Sequence, residues 1–193
     1  MTVNKILSVA VYCGSNFGDS EIFRTSAAAL GAFIGRSGMT LVYGGTDKGL
    51  MGVVADAALE AGGSVHGIIT ERLHAKGHLH PKLTKADIVP SMRERKARML
   101  QKADAFIAMP GGIGTLEEFM EAWTLNQLGE MTKPLGLYNV DGYYEPFMEL
   151  VDNMIARKFL PDAHRHSIAI SNEPRELIAR LQALPPIRTA KWM

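Results

Sequence analysis

Residues 105–118 carry the strongest chemical signal in the chain: Ala-Phe-Ile-Ala-Met-Pro-Gly-Gly-Ile-Gly-Thr-Leu-Glu-Glu. An apolar run leads through Gly111, Gly112, Ile113 and Gly114 to Thr115 and a helical pattern. Glycine lets a backbone approach a ligand and turn its N–H groups toward it. A helix N-terminus adds partial positive charge, so a phosphate fits there. A tight strand-to-helix turn would need only one glycine. Three within four positions, followed by Thr115, point to phosphate. The pattern is not the dinucleotide fingerprint, because no third glycine follows Gly112-Ile113-Gly114 at the required place and the loop follows a late strand. It is not a Walker loop either: Gly44 and Gly49 have that spacing, but Leu50 stands where the lysine is required.

Charged residues flank this loop. Leu116, Glu117 and Glu118 follow Thr115, and by spacing Thr115 and Glu118 suit a capping box. Beside a phosphate loop, the same Glu118 could instead face the sugar of a nucleotide. Glu121 lies one turn on and suits pairing with a lysine or arginine. Upstream, Ser91 opens a helix with four cations in its first two turns: Arg93, Arg95, Lys96 and Arg98. That end of a helix disfavours cations. At about 100° per residue, Arg95 and Lys96 fall on the side of Met92, Met99, Leu100 and Ala103, while Arg93, Glu94 and Arg98 point away. An unpaired charge beside an apolar face is costly. Either Arg95 and Lys96 snorkel to water or they meet an anion; their adjacency favours the anion.

Other candidates carry weaker signals. Gly14-Ser15 and Gly44-Gly45 are glycine turns after strands, equally consistent with nucleotide contact and with backbone crowding. His78 and His80, and likewise His164 and His166, are spaced by one residue, but no carboxylate or cysteine cluster accompanies them, so no metal is expected. Cys13 ends an apolar run and reads as an inert buried thiol. Met120, Trp123 and Leu128 read as core or interface.

The elements that must position these residues alternate regularly. Strands are predicted at 6–11, 40–43, 64–69, 87–89, 105–109, 134–138 and 166–170. Helices are predicted from the Ser20 cap to 37, at 50–61, from the Ser91 cap to 102, and at 115–128, 143–159 and 173–183, with a polar, His-rich loop over 70–82. Such alternation predicts an α/β fold: a single-domain, doubly wound, Rossmann-like parallel sheet with helices on both faces. Its ligands should bind beyond the carboxyl ends of the strands, where all three glycine turns gather.

The bulk numbers agree with one domain over 1–184 and a surface tail over 185–193. The 193 residues are 47% hydrophobic and 21% charged, with a formal net charge of +1. So neutral a chain has no global field to hold a polyanion, so nucleic acid and anionic membrane surfaces are not expected partners. No apolar stretch is long enough to span a membrane. The single cysteine and an N-terminus unlike a signal peptide suggest a cytoplasmic setting.

Taken together, the residues resemble the LOG-type family, the cytokinin riboside 5′-monophosphate phosphoribohydrolases often labelled lysine decarboxylases. The resemblance runs from about 6 to 160. It is carried by Cys13-Gly14-Ser15, Leu41-Val42-Tyr43-Gly44-Gly45, Gly49-Leu50-Met51-Gly52, Arg95-Lys96, Pro110 through Glu118, Gln127-Leu128-Gly129, Lys133-Pro134 and Gly142-Tyr143-Tyr144. It implies hydrolysis of the N-glycosidic bond of a purine nucleoside 5′-monophosphate, giving free base and ribose 5-phosphate, without metal or redox cofactor. It also implies that Gly112 to Thr115 hold the phosphate, Arg95 and Lys96 lie at the site, Glu118 is the catalytic carboxylate and Thr124 contacts substrate. A homodimer with sites near the subunit interface is implied as well. The family's usual Met-His before the Arg-Lys element is Met92-Arg93 here. The acidic contact that plant members carry in the preceding loop falls at Gly77-His78-Leu79-His80, so the preferred base stays open. Two rivals stand beside this reading. One is a non-catalytic nucleotide or molybdenum-cofactor carrier, which would keep the glycine loops but not need Glu118 with Arg95. The other is a pyridoxal-dependent lysine decarboxylase, which would need a Schiff-base lysine.

Overall fold

The computed structural model describes residues 5–185. Residues 1–4 and 186–193 lie outside the described residues, and with them all but the first residue of the expected tail.

Seven parallel strands form one sheet in the order β4-β3-β2-β1-β5-β6-β7. They are β1 (Ser8–Tyr12), β2 (Thr40–Tyr43), β3 (Ser64–Thr70), β4 (Lys85–Val89), β5 (Ala105–Ala108), β6 (Leu135–Tyr138) and β7 (Ile168–Ser171). The helices between them are α1 (Glu21–Arg36), α2 (Gly49–Glu60), α3 (Glu71–Ala75), α4 (Met92–Lys102), α5 (Ile113–Leu128), α6 (Glu145–Ala156) and α7 (Pro174–Ala183). The expected doubly wound sheet is therefore what forms.

The central strand shows why both faces are covered. Successive side chains of a strand point to opposite faces. Val9 and Val11 enter one apolar cluster, with Leu30, Val54 and Leu177 of α1, α2 and α7. Ala10 and Tyr12 enter the other, with Met99, Phe119 and Val151 of α4, α5 and α6. A strand buried on both faces reads as an unbroken apolar run rather than an alternation.

Strand register then gathers the loops. Tyr12 is opposite Ala108, and Ala10 opposite Val42, so β1, β2 and β5 end at one level. The strand order reverses between β1 and β5, and the loops there part to leave a crevice. Gly14 and the Pro110 loop are tied across it by Gly14 N–H donating to Pro110 O at 3.1 Å, while Leu50 N–H donates to Gly14 O at 3.0 Å. Helix α2 is drawn close by glycines on α1. A Cβ at Gly31 would stand 2.2 Å from Val54 O, and one at Gly35 would stand 2.5 Å from Ala58 O.

Several boundaries differ from the sequence expectation. Helix α5 begins at Ile113 with Gly112 as N-cap, two residues before the expected start. The expected loop over 70–82 contains α3, capped by Thr70, whose hydroxyl accepts from Leu73 N–H at 3.3 Å. The helix expected from 143 begins at Glu145, after a 3-10 turn at Val140–Gly142, and ends at Ala156 because Lys158 takes a left-handed conformation with φ 62°. The strand expected at 166–170 is shifted to Ile168–Ser171, since Asp162–Ser167 closes as a 3-10 turn.

Candidate active site

A cleft of about 390 Å³ opens at the reversal point. Its floor is the end of β1 with Cys13, Gly14 and Ser15. Met51 of α2 and Met92 and Arg95 of α4 form one wall, and Gly112 through Thr115, Glu117 and Glu118 of α5 form the other. Gly14, Ser15, the glycine loop, Arg95, Glu117 and Glu118 thus come together as expected.

The three loop glycines have different reasons to be there. A Cβ at Gly111 would stand 2.2 Å from Thr115 Oγ1 and 2.8 Å from Gly14 N, so packing requires that one. At Gly112 and Gly114 nothing of the protein lies within 4 Å of a Cβ, and neither has positive φ. The first helical bond of α5 runs from Leu116 N–H to Gly112 O at 3.2 Å. The N–H groups from Gly112 to Thr115 have no acceptor in the described protein, as expected of a helix start without a side-chain cap. The capping box expected of Thr115 and Glu118 does not form. Because the helix starts two residues early, Thr115 is already inside it, and the Glu118 carboxylate goes to Arg95 instead.

Arg95 is held from three sides. Its Nε donates to Ile68 O at 2.9 Å, and its Nη1 lies 3.2 Å from Glu118 Oε1 and 3.3 Å from Met92 Sδ. The guanidinium runs so close to Gly44 that a Cβ there would stand 2.0 Å from Nη2. The side chains of Arg95 and Glu118 are only 9% and 14% exposed, so this is a nearly dry ion pair. Burial pushes the Glu118 carboxyl above its ordinary pKa, and Arg95 opposes that rise. A carboxylate in this setting is poised for proton transfer or for stabilising positive charge.

Lys96 pairs with Glu117, and with Glu121 at 3.2 Å. Hydrogen bonding to Glu117, and in smaller part to Glu121, holds its ammonium above the ordinary lysine pKa, against the pull of partial burial. The two cations beside the apolar face therefore meet carboxylates of α5, with Arg95 on Glu118 and Lys96 on Glu117 and Glu121. Glu121 does pair as expected. Arg93 stays solvated, and Arg98 reaches Asp87 at 3.5 Å.

Other expected site residues sit elsewhere. Gly44 and Gly45 do not line the cleft. Gly44 makes room for Arg95, and Gly45, at φ 76°, packs against Ile69. Crowding thus explains the second glycine loop. Leu116 packs into the core, and Thr124 is exposed on α5 away from the cleft. The thiol of Cys13 is pushed far up by burial, and further by Glu118, so it stays protonated and inert as expected.

The histidine pairs are divided by the fold. His80 is buried, with Nδ1 accepting from Lys82 N–H at 3.2 Å and Nε2 facing Asp56 at 3.2 Å; His78 is only half-buried. His164 is buried with both ring nitrogens unpartnered among the described residues, while His166 is exposed. Among the described residues no group of three or more His, Cys, Asp and Glu is placed to hold a metal. Trp123 is core: its Nε1 donates to Ser167 Oγ at 3.0 Å.

Sequence reasoning missed four participants. Met51 and Met92 wall the cleft, and Tyr143 and Tyr144 donate to carbonyls of the glycine loop. Adjacent tyrosines after a Gly were visible as a motif, but nothing in their spacing says which loop they reach. No lysine among the described residues lines the cleft, and Lys96 beside it is clamped in its protonated form. A Schiff base needs a neutral amine, so the residues present do not fit pyridoxal phosphate.

Fold and site define a doubly wound α/β protein whose glycine loop and buried Arg–Glu pair share one crevice at the carboxyl edge of the sheet. The chain belongs to the LOG family of cytokinin riboside 5′-monophosphate phosphoribohydrolases. A family model described as “Possible lysine decarboxylase” matches residues 51–181. The chain is 40% identical over 178 residues to the cytokinin riboside 5′-monophosphate phosphoribohydrolase LOG of Oryza sativa subsp. japonica, covering 92% of this chain and 74% of that one. It is 40% identical over 179 residues to LOG5 of Arabidopsis thaliana, which carries the same enzyme name, covering 93% and 78%. Among solved structures, the molybdenum cofactor binding protein of Rippkaea orientalis superposes with a TM-score of 0.72 over 93% of this chain and 97% of that one. At 22% identity it speaks to the fold alone. No described helix is long and apolar enough to cross a membrane.

Proposed function

We propose that this chain hydrolyses the N-glycosidic bond of purine nucleoside 5′-monophosphates of the adenine or cytokinin type, releasing the free base and ribose 5-phosphate. The observation that carries the reading is the buried Glu118–Arg95 pair, one helical turn from free N–H groups that fit a phosphate. The family relatives of about 40% identity carry this enzyme name.

The phosphate would sit on the amides of Gly112 to Thr115, where Gly112 and Gly114 leave open space. That anchor is remote from the bond that breaks, so its binding energy positions the sugar. As the bond between C1′ and the base nitrogen breaks, its electron pair goes to the base and the sugar becomes oxocarbenium-like. Glu118 stabilises the developing positive charge and takes a proton from the water that adds to C1′. The departing base is protonated in turn. Arg95 keeps the carboxylate ionised and oriented, while Met51 and Met92 offer apolar contact to the base. Lys96, with Glu117 and Glu121, braces α4 against α5.

The test is incubation with AMP and with isopentenyl-AMP, followed by chromatography for free base. Release by the wild-type protein and a loss of roughly a hundredfold or more in Glu118→Gln are expected. A carrier on the same fold would bind nucleotide without releasing base. Release by Glu118→Gln at the wild-type rate would remove the catalytic assignment.

A further inference from the structure

The glycine loop has a one-sided polarity that its own sequence does not produce. Its successive carbonyls all have protein donors. Met109 O accepts from Tyr144 Oη at 2.6 Å, Pro110 O from Gly14 N–H at 3.1 Å, Gly111 O from Tyr143 Oη at 2.6 Å, and Gly112 O from Leu116 N–H at 3.2 Å. The N–H groups that follow, through Thr115, have no acceptor among the described residues. A loop with every carbonyl taken and its amides left free presents positive charge to the cleft.

Two of these four bonds come from one dipeptide. Tyr143 and Tyr144 stand at right angles, with ring centroids 5.1 Å apart, on a tight turn where Asp141 and Gly142 both take positive φ. The turn is fixed by Tyr144 N–H donating to Asn139 Oδ1 at 2.7 Å. Adjacent side chains with perpendicular rings can thus reach carbonyls two residues apart, on either side of Pro110.

The two tyrosines differ in burial, and this decides their roles. Tyr144 is 1% exposed, so Met109 O has no water to replace the hydroxyl. Tyr143 is 43% exposed and walls a second cavity of about 480 Å³ that shares Gly14, Ser15 and Gly112 with the cleft, edge-on to Phe23 at 6.1 Å. Water could replace its hydroxyl at Gly111 O. Losing that hydroxyl therefore costs little fold stability but leaves the Gly111 peptide free to rotate. A rotated peptide would turn its carbonyl toward the anion and its neighbouring amide away.

We propose that Tyr143 is a positioning residue for phosphate: by holding Gly111 O on the far side of the loop, it keeps the amides from Gly112 to Thr115 aimed at the phosphate monoester of the substrate. The inference rests on the functional reading above, because it takes that loop as the phosphate site. Tyr144 performs the matching task at Met109 O as part of the core.

The experiment compares wild type, Tyr143→Phe and Tyr144→Phe by calorimetric titration with ribose 5-phosphate, by AMP hydrolysis and by thermal unfolding. For Tyr143→Phe the expected result is a three- to tenfold rise, roughly the worth of one net hydrogen bond, in both the Kd for ribose 5-phosphate and the KM for AMP. Its melting temperature stays at the wild-type value, and kcat falls by no more than the rise in KM. Tyr144→Phe lowers the melting temperature. Unchanged Kd and KM in Tyr143→Phe, or a fall in kcat alone, would overturn the proposal. If wild type binds ribose 5-phosphate and Tyr143→Phe binds it more weakly, but neither releases base from AMP, the hydrolase reading fails and the positioning role stands. A wild-type protein that does not bind ribose 5-phosphate would overturn both.

Discussion

Glu118 owes its chemistry to two opposed effects, burial raising its pKa and Arg95 lowering it. In the proposed hydrolysis the ionised form acts, so activity should fall as the pH drops through that raised value. The acid limb of kcat/KM is expected above the ordinary carboxylate range, and in Arg95→Ala the residual activity should show this limb at still higher pH. A pH–rate profile of both proteins checks the direction. Gly44 belongs to the same balance. Gly44→Ala would drive a methyl group into the Arg95 guanidinium, 2.0 Å away, displacing it by an ångström or so. Misplacement on that scale costs on the order of a hundredfold in rate and should leave the circular dichroism spectrum native. Residue identities here were legible in the sequence, but their pairings were only partly so. Spacing alone made Glu118 a cap for Thr115. Only the early start of α5 at Ile113 frees its carboxylate for Arg95, and helix boundaries are the least certain part of any sequence reading.

Elements locate the site through close contacts that apolar patterning cannot announce. The alternation of apolar runs and helical stretches sufficed to give a doubly wound parallel sheet with three glycine turns on one edge; the strand order, and with it the reversal point between β1 and β5, came only with the structure. It could not reveal the 3-10 turns at Val140–Gly142 and Asp162–Ser167 or the short helix α3, because each is too short to show a period. Nor could it show why Gly31 and Gly35 interrupt α1. They let the α2 backbone approach, and α2 in turn presents Met51 to the cleft. Gly31→Ala is expected to destabilise the fold by roughly 1–3 kcal/mol, read as a lower urea midpoint with an unchanged slope.

At the scale of the molecule, His164 makes the fold acid-sensitive at a point outside the cleft lining. His164 is buried with no partner among the described residues for either ring nitrogen, and burial holds its pKa below the ordinary value. The folded chain therefore keeps it neutral, while the unfolded chain protonates it as the pH falls below about 6.5. Its contribution is unchanged above that pH and is lost between there and its lowered folded pKa. Urea midpoints at pH 7.5 and 5.5 should diverge in wild type and diverge less in His164→Gln. We also propose the homodimer at this scale. Met92, Ile113 and Leu128 of α4 and α5 are exposed at 47%, 88% and 44%, and Thr124 lies on α5 away from the cleft of its own chain. Leu128→Asp is expected to shift the mass in sedimentation equilibrium from two chains to one.

The phosphate on the loop amides and the sugar carbon at residue 118 are tested together by a crystal structure of Glu118→Gln with AMP. The phosphate should accept from the N–H groups between Gly112 and Thr115, and C1′ should lie in contact with the side chain at 118. A phosphate bound away from those amides, or a ribose turned away from position 118, would contradict the account.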